Sequence, residues 1–256
     1  MLFRSVFSRV LLAATALFTG SVVIPRTSPD AWAPVADPAG LRLEHFVLEL
    51  REPALADAKP LTREVGVVCL RSRPVEGGRQ LESESLFLRE GEDGDAVHVL
   101  HIERPSGRGP ELVWREWGAG HGRCFTAEWT KAHNALQLVE NSRGGVPRAT
   151  IPAGRECVFP LELIELAREG RALAPSYARL DPLSRELELV DFHASSRNDS
   201  GAIVRDVELS RADGSLAGRF EFRGSELVSF RWQDGDLRAR RISAESYAAR
   251  AARSAP

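Results

Sequence analysis

Asp191 and His193 are the residues whose types and spacing come nearest to catalytic chemistry. They stand two apart in a segment that alternates like a β-strand, so both side chains point to the same face. A carboxylate in this position could orient a histidine that acts as a general base, as in hydrolytic triads. The neighbouring Ser195 and Ser196 lie in a polar stretch, and the chain has no G-x-S-x-G motif to mark a nucleophile. We interpret the pair as surface residues and keep a hydrolase as an alternative.

Histidines and cysteines give no strong metal-ligand pattern. His98 and His101 form H-x-x-H, but the surrounding AVHVLHIER alternates, and an odd separation on a strand sends the two rings to opposite faces. His121 and Cys124 supply one short spacing, whereas structural zinc sites usually combine two. The glycine-rich GAGHG (118–122) precedes a strand, where a phosphate-binding loop needs a helix. We predict no metal, no cofactor and no catalytic residue.

The three cysteines are Cys69, Cys124 and Cys157, an odd number that cannot form a fully paired disulfide framework. One bridge between Cys124 and Cys157, beside one buried thiol, is one arrangement. Three unpaired thiols are the other, because a domain of this size does not need disulfides for stability. The sequence leaves the pairing open.

Aromatic side chains recur at alternating positions near the C-terminus. In Glu226–Gln233 the alternation places Phe230 and Trp232 on one face, with Ser229 on the other. The simplest interpretation is the core of a sheet. The alternative is a concave sheet whose aromatic face holds an apolar ligand beneath an apolar helix, since a long twisted sheet must curl, close or be covered. The predicted ligand-contacting residues are Phe220, Phe222, Phe230, Trp232, Leu163 and Leu166.

Short segments with a two-residue alternation recur from Leu41 onward, separated by Gly, Asp, Asn and Pro. This rhythm predicts strands joined by turns, and Asp213-Gly214 is a signal for a type I′ hairpin turn. Consecutive hairpins form an antiparallel meander and not a parallel α/β sheet. The predicted strands are Leu41–Leu50, Val65–Arg71, Glu82–Arg89, Ala96–Glu103, Glu111–Trp117, Arg123–Trp129, Ala135–Glu140, Arg185–His193, Ile203–Ser210, Leu216–Arg223, Glu226–Gln233 and Leu237–Ile242.

Two helices are expected to interrupt the strands. Pro160–Glu169 begins with proline, precedes Gly170 and is apolar around most of its circumference, which predicts burial on more than one side. Ser243–Arg253 has Ser243 as its N-cap and covers an edge or surface. The polar segments Ala194–Gly201 and Gly144–Gly154 are predicted to be mobile loops.

The predicted fold is therefore mainly β. It is an antiparallel meander that forms a curved sheet, half-barrel or barrel, with a buried helix near 160–169 and a C-terminal helix. In architecture alone it resembles the half-barrel carriers of bacterial envelopes, which does not fix function.

The first 26 residues have the features of an export signal. Arg4 and Arg9 form a positive region, and the 15 residues Val10–Ile24 carry no charge, too few for a typical spanning helix but suited to a signal peptide. A retained membrane anchor over residues 10–24 is the alternative. Residues 27–40 form a Pro-rich linker, 41–242 the β domain, and 243–256 a C-terminal helix and tail.

Charge and composition narrow the class of protein. The net charge is −2, and acidic and basic residues are interspersed along the chain. The sequence therefore has no basic patch of the kind that binds nucleic acid. We expect a non-enzymatic periplasmic or extracellular envelope protein that contacts a membrane only through its N-terminal segment. Its curved sheet would bind an apolar or lipid-like ligand or an envelope protein. The alternatives are a structural or interaction module with a solid core, and the hydrolase.

Overall fold

The segments that alternate in the sequence form one large sheet. The computed structural model describes residues 40–52, 61–88, 96–106, 109–118, 121–140, 148–153, 156–170, 176–181, 185–232 and 237–254. Within these ranges the strands are β1 (Arg42–Glu52), β2 (Leu61–Val75), β3 (Gly78–Leu88), β4 (Ala96–Pro105), β5 (Pro110–Gly118), β6 (His121–Thr130), β7 (Ala135–Glu140), β8 (Arg148–Pro152), β9 (Cys157–Val158), β10 (Ser176–Leu180), β11 (Leu187–Asp199), β12 (Ala202–Arg211), β13 (Leu216–Arg223), β14 (Glu226–Trp232) and β15 (Leu237–Ile242). The helices are α1 (Pro160–Glu169) and α2 (Ala244–Ser254).

The sheet consists of two antiparallel meanders joined through β1. Strands β1 to β8 are neighbours in chain order, as are β9 to β15, and β15 pairs with β1. Phe46 of β1 lies opposite Arg241 of β15 and Val68 of β2. The described pairs are antiparallel except for β9 with β10. The predicted antiparallel meander and mainly β fold are confirmed.

Helix α1 packs against the inner face of the sheet. Its buried side chains form one core cluster with residues of β1, β2, β3 and β9–β15, so the helix is buried on more than one side, as its composition predicts. This cluster contains Phe46, Leu48, Val65, Val68, Leu70, Leu81, Val158, Leu161, Leu163, Ile164, Ala167, Tyr177, Val190, Val207, Leu209, Ala217, Phe220, Phe222, Leu227, Phe230 and Ala239.

A second core cluster connects strands that lie far apart in the sheet order. It joins β5, β6 and β7 to β9, β10 and Phe159. Strand β10 is buried on both faces, because Tyr177 belongs to the first cluster and Ala178 and Leu180 to the second. The sheet therefore rolls up so that one of its ends packs inside the other. The second cluster contains Leu112, Phe125, Ala127, Trp129, Leu136, Leu138, Ala153, Cys157, Phe159, Ala178 and Leu180.

Helix α2 covers the outer face of β1, β2 and β3. The backbone N–H of Ser246 donates to the Ser243 hydroxyl at 3.2 Å, which confirms the predicted N-cap. The ring of Tyr247 lies 4.7 Å from that of His45, and burial raises the pKa of Tyr247. Arg250 pairs with Glu64 at 2.8 Å, so the helix is attached at two points.

The prediction of a mobile loop at Ala194–Gly201 is wrong. Strand β11 continues to Asp199, which pairs with Ala202 across a two-residue turn. Both turn residues, Ser200 and Gly201, have positive φ (51° and 84°), as a type I′ turn requires. The type I′ signal at Asp213-Gly214 marks a hairpin of another type, because only Gly214 has positive φ there.

Three strands were not predicted, namely β8, β9 and β10. Strand β8 lies within Gly144–Gly154, so the loop prediction is wrong for Arg148–Pro152.

The predicted export signal, anchor and linker at residues 1–39 lie outside the described residues. In the part of the chain that is described, no helix has the length and apolar character needed to cross a membrane.

Candidate functional site

The aromatic face predicted to hold a ligand lies directly beneath α1. Phe220, Phe222 and Leu163 are fully buried in the cluster that includes the helix, and Phe230 is 6% exposed. Leu166 packs against the same cluster from α1. The structure thus brings these predicted residues together, with the helix seated on the face. The sixth residue, Trp232, has a side chain outside the described part.

The N-terminus of α1 is held by a carboxylate from a distant strand. Glu103 of β4, whose side chain is 4% exposed, accepts hydrogen bonds from the backbone N–H groups of Leu161 and Glu162, each at 2.7 Å. Phe159, the helix N-cap residue, supplies no side-chain hydrogen bond. Glu103 therefore acts as a cap from 58 residues away and complements the positive end of the helix dipole.

The ring of His101 lies against the same carboxylate. Its Nε2 is 2.8 Å from Glu103 Oε1, and its centroid is 5.6 Å from that of Trp114 on β5. Both members of the pair are buried, since His101 is 5% exposed. The first anchor of α1 is thus a polar group inside an otherwise apolar interior.

The C-terminal end of α1 is held by a second buried carboxylate. Arg168 of the helix donates to Glu44 of β1 through both terminal nitrogens, at 3.2 and 2.5 Å, and to the Ser225 carbonyl at 2.5 Å. Glu44 is 4% exposed. A two-pronged arginine–carboxylate contact of this kind fixes orientation as well as distance.

Two further arginines surround Glu44. Arg241 of β15 approaches it at 3.1 Å, and Arg42 of β1 at 3.7 Å. Arg42 also pairs with Glu165 on α1, and Glu165 lies 3.2 Å from Arg168. We call these five residues, Arg42, Glu44, Glu165, Arg168 and Arg241, the Glu44 cluster.

The last turn of α1 is closed by Gly170 and Arg205. Gly170 adopts a left-handed conformation, and its N–H bonds the Ala167 carbonyl. Arg205 of β12 donates to the Arg168 carbonyl at 2.8 Å, while its guanidinium lies 5.2 Å from the ring centroid of Phe222. Both ends of the helix are therefore bonded to sheet residues.

A cleft opens beside α1 at the Glu44 cluster. Its cavity volume is about 20 Å³, room for about one water molecule and far below the volume of a small-molecule pocket. Its apolar lining comes from the sheet and the helix together, and charged residues of both signs complete it. The lining residues are Arg42, Glu44, Leu70, Arg71, Ser72, Leu81, Glu82, Leu161, Ile164 and Glu165.

The two histidines of H-x-x-H have separate surroundings. His98 stacks on Trp117 at 5.3 Å, and burial lowers its pKa, whereas His101 packs with Glu103 and Trp114. In the described segments no three His, Cys, Asp or Glu side chains are arranged to hold a metal ion.

Asp191 and His193 lie on β11, opposite Ser210 and Glu208. His193 is exposed, and within the described residues no hydrogen bond joins it to a serine or cysteine. The hydrolase alternative requires such a nucleophile. The geometry here gives it no support.

The cysteines are free thiols, so the Cys124–Cys157 bridge is not formed. Burial raises the pKa of Cys157 to about 12 and also raises that of Cys69. At neutral pH both stay protonated, which disfavours reactivity.

Sequence reasoning missed Glu103, Glu44 and Arg168. A signal for the first two was present, because each occupies an inward position of its strand: Glu44 alternates with Phe46, and Glu103 with His101. A charge at an inward position needs a partner from elsewhere. The partner, α1, follows 58 residues after Glu103 and cannot be found by local pattern.

Fold and site together define a curved, barrel-like β-sheet with a helix seated inside it. The chain is similar in structure to a protein from Brucella abortus described as a beta-barrel-like protein of domain of unknown function DUF1849. The TM-score is 0.50 at 13% sequence identity, over 78% of this chain and 95% of that chain. At this identity the likeness concerns the fold alone. No protein-family model and no curated protein match the chain.

Proposed function

We propose that this is a non-enzymatic envelope protein that binds an apolar, lipid-like ligand on the inner face of its curved sheet. The observation that carries the proposal is the attachment of α1. The helix covers an aromatic-rich face and is fastened at both ends by charged groups, Glu103 at one end and Glu44 with Arg168 at the other. In this proposal α1 is a displaceable plug.

Displacement of α1 costs less free energy than its charged attachments suggest. Buried ion pairs contribute little net stability, because desolvation of the charges offsets much of their attraction. When α1 moves away, water hydrates Glu103, Glu44 and Arg168 again. This hydration free energy offsets part of the attraction that is lost. The remaining cost is the exposure of apolar surface on Phe222 and its neighbours, at about 25 cal/mol per Å². A ligand with an apolar chain offsets that cost.

Native mass spectrometry of the purified full chain tests the proposal. We expect co-purifying apolar adducts, and faster amide hydrogen exchange in α1 with adduct than without. Leu166→Gln should increase adduct binding, because it weakens the packing of α1 on the face that the ligand must occupy. Leu189→Gln is the matched control, since Leu189 is 48% exposed and lies on β11, away from α1.

A structural or interaction module is the second candidate. It is favoured by the complete burial of Phe220 and Phe222 beneath the helix. In that case the chain purifies without apolar adducts, and the amides of α1 stay as protected as those of β13. These two results together would replace the ligand-binding proposal.

Export belongs to the same proposal and rests on the sequence of residues 1–26, with its positive region and apolar run. A fusion of residues 1–40 to a reporter enzyme that is active only outside the cytoplasm should give activity. The same fusion with two arginines introduced into Val10–Ile24 should be inactive. Equal activity of the two fusions would contradict export through this segment.

A further inference from the structure

We infer that the ligand displacing α1 is an anionic amphiphile, whose charged headgroup takes the place of the Glu165 carboxylate on Arg42. This inference rests on the proposed function and names the ligand class for the same site. The observation is the distribution of charge in the Glu44 cluster between helix and sheet.

The helix contributes one charge of each sign to the cluster, Glu165 and Arg168. The sheet contributes Arg42, Arg241 and Glu44. When α1 leaves, the sheet keeps two arginines against one buried carboxylate, an excess of one positive charge. Arg241 also lies 3.8 Å from Glu226, but that carboxylate is 67% exposed and therefore screened by water.

The position of Arg42 indicates where an anion would bind. Its guanidinium lines the cleft, pairs with Glu165 of the helix and has a side chain that is 33% exposed. It loses a carboxylate partner when the helix moves. The planar guanidinium is suited to a carboxylate or a phosphate through two parallel hydrogen bonds.

The surface next to Arg42 is suited to an alkyl chain. Leu70 and Leu81 of the sheet line the same cleft and belong to the core cluster beneath α1. In the closed state Leu161 and Ile164 of the helix cover them. A ligand with an anionic head and one apolar chain replaces both contacts of the helix. Its head replaces Glu165, and its chain replaces Leu161 and Ile164.

Calorimetric titration of the full chain with four probes tests the inference: dodecyl phosphate, dodecyl maltoside, dodecyltrimethylammonium and inorganic phosphate. Dodecyl phosphate should bind tightest. Arg42→Gln should weaken it about tenfold, the value of one charge-assisted hydrogen bond, and leave dodecyl maltoside unchanged. Glu165→Gln should tighten dodecyl phosphate several-fold, because Arg42 loses its competing partner.

Arg104→Gln is the matched control, since Arg104 pairs with Glu111 at 2.6 Å on an exposed face. Equal affinity for the three dodecyl probes, with Arg42→Gln and Glu165→Gln without effect, overturns the anionic headgroup and leaves ligand binding standing. Inorganic phosphate binding as tightly as dodecyl phosphate overturns the amphiphile. Failure of every dodecyl probe to bind overturns the proposed function as well. Opposite shifts in the two variants support the inference.

Discussion

Glu103 holds the N-terminus of α1 in place. Its buried carboxylate accepts two backbone N–H groups that would otherwise have no partner at the start of a helix. Glu103→Gln keeps the shape but removes the charge and exchanges one acceptor for a donor. We expect unfolding free energy to fall by about 1–3 kcal/mol. Urea denaturation measures it. Glu111→Gln, in an exposed ion pair, should cost less than about 0.5 kcal/mol, and equal costs would contradict the capping role.

His45 gives a second prediction at the residue scale. Burial, helped by nearby Arg71 and Arg241, lowers the pKa of His45 from its ordinary 6.5. The unfolded chain therefore takes up this proton more readily, so stability is intact above about pH 6.5 and falls as the pH drops. His45→Gln should reduce the loss of stability between pH 7 and pH 5, measured by urea denaturation at each pH. An unchanged slope in His45→Gln would contradict the assignment.

Much less of the site than of the fold is predictable from single residues. The aromatic residues Phe220, Phe222 and Phe230 follow from alternation, because each strand that carries them has one buried face. The roles of the charged anchors do not follow, because the partners of Glu44 and Glu103 on α1 lie far away in the sequence. Which face is buried is a property of the assembled sheet.

At the scale of the elements, the sequence specifies both ends of α1. Its N-terminal proline and Gly170 predict Pro160–Glu169, and the structure has the same bounds. Gly170 has φ +62°, and a Cβ there would lie 2.7 Å from the guanidinium of Arg205, which bonds the Arg168 carbonyl.

Gly170→Ala should therefore combine two costs. The left-handed backbone costs about 1–2 kcal/mol for a residue with a Cβ. Displacement of Arg205 adds about 1 kcal/mol for the lost hydrogen bond. Gly214→Ala is the control, because its φ is +81° and nothing lies within 4 Å of the added carbon. Thermal and urea unfolding of both variants measure the difference, and equal losses would show that Arg205 does not close the helix.

The alternating pattern predicted strands that have one buried face and one solvent-exposed face. It did not predict β10, because both faces of β10 are buried and its polar and apolar residues do not alternate. It did not predict the end of β11 for the opposite reason: residues 195–199 are exposed and are polar throughout. The backbone pairing with β12 that makes this segment a strand leaves no mark on the side-chain pattern.

At the scale of the whole molecule, the rolled sheet makes its two ends interdependent. Strand β10 contributes side chains to both core clusters, and Phe159 and Val158 contribute to one cluster each from adjacent positions. A mutation that loosens either cluster therefore disturbs β10, which the other cluster packs against. The molecule should unfold as one unit, although among the described strands the backbone pairing joins the two meanders at β1–β15 alone.

Paired core truncations test this cooperativity. Leu136→Ala lies in the second cluster and Leu209→Ala in the first, and both leucines are fully buried. Each should cost about 2–5 kcal/mol. In a background carrying Trp32→Phe and Trp232→Phe, the remaining tryptophans, Trp114, Trp117 and Trp129, lie on β5 and β6. Their fluorescence during urea unfolding reports on these two strands, whereas circular dichroism reports on all strands. In both variants the two signals should move together in one transition, because β10 transmits the damage. A Leu136→Ala variant whose fluorescence changes at lower urea than its circular dichroism would mean that the second cluster unfolds alone and that the two ends of the sheet are independent.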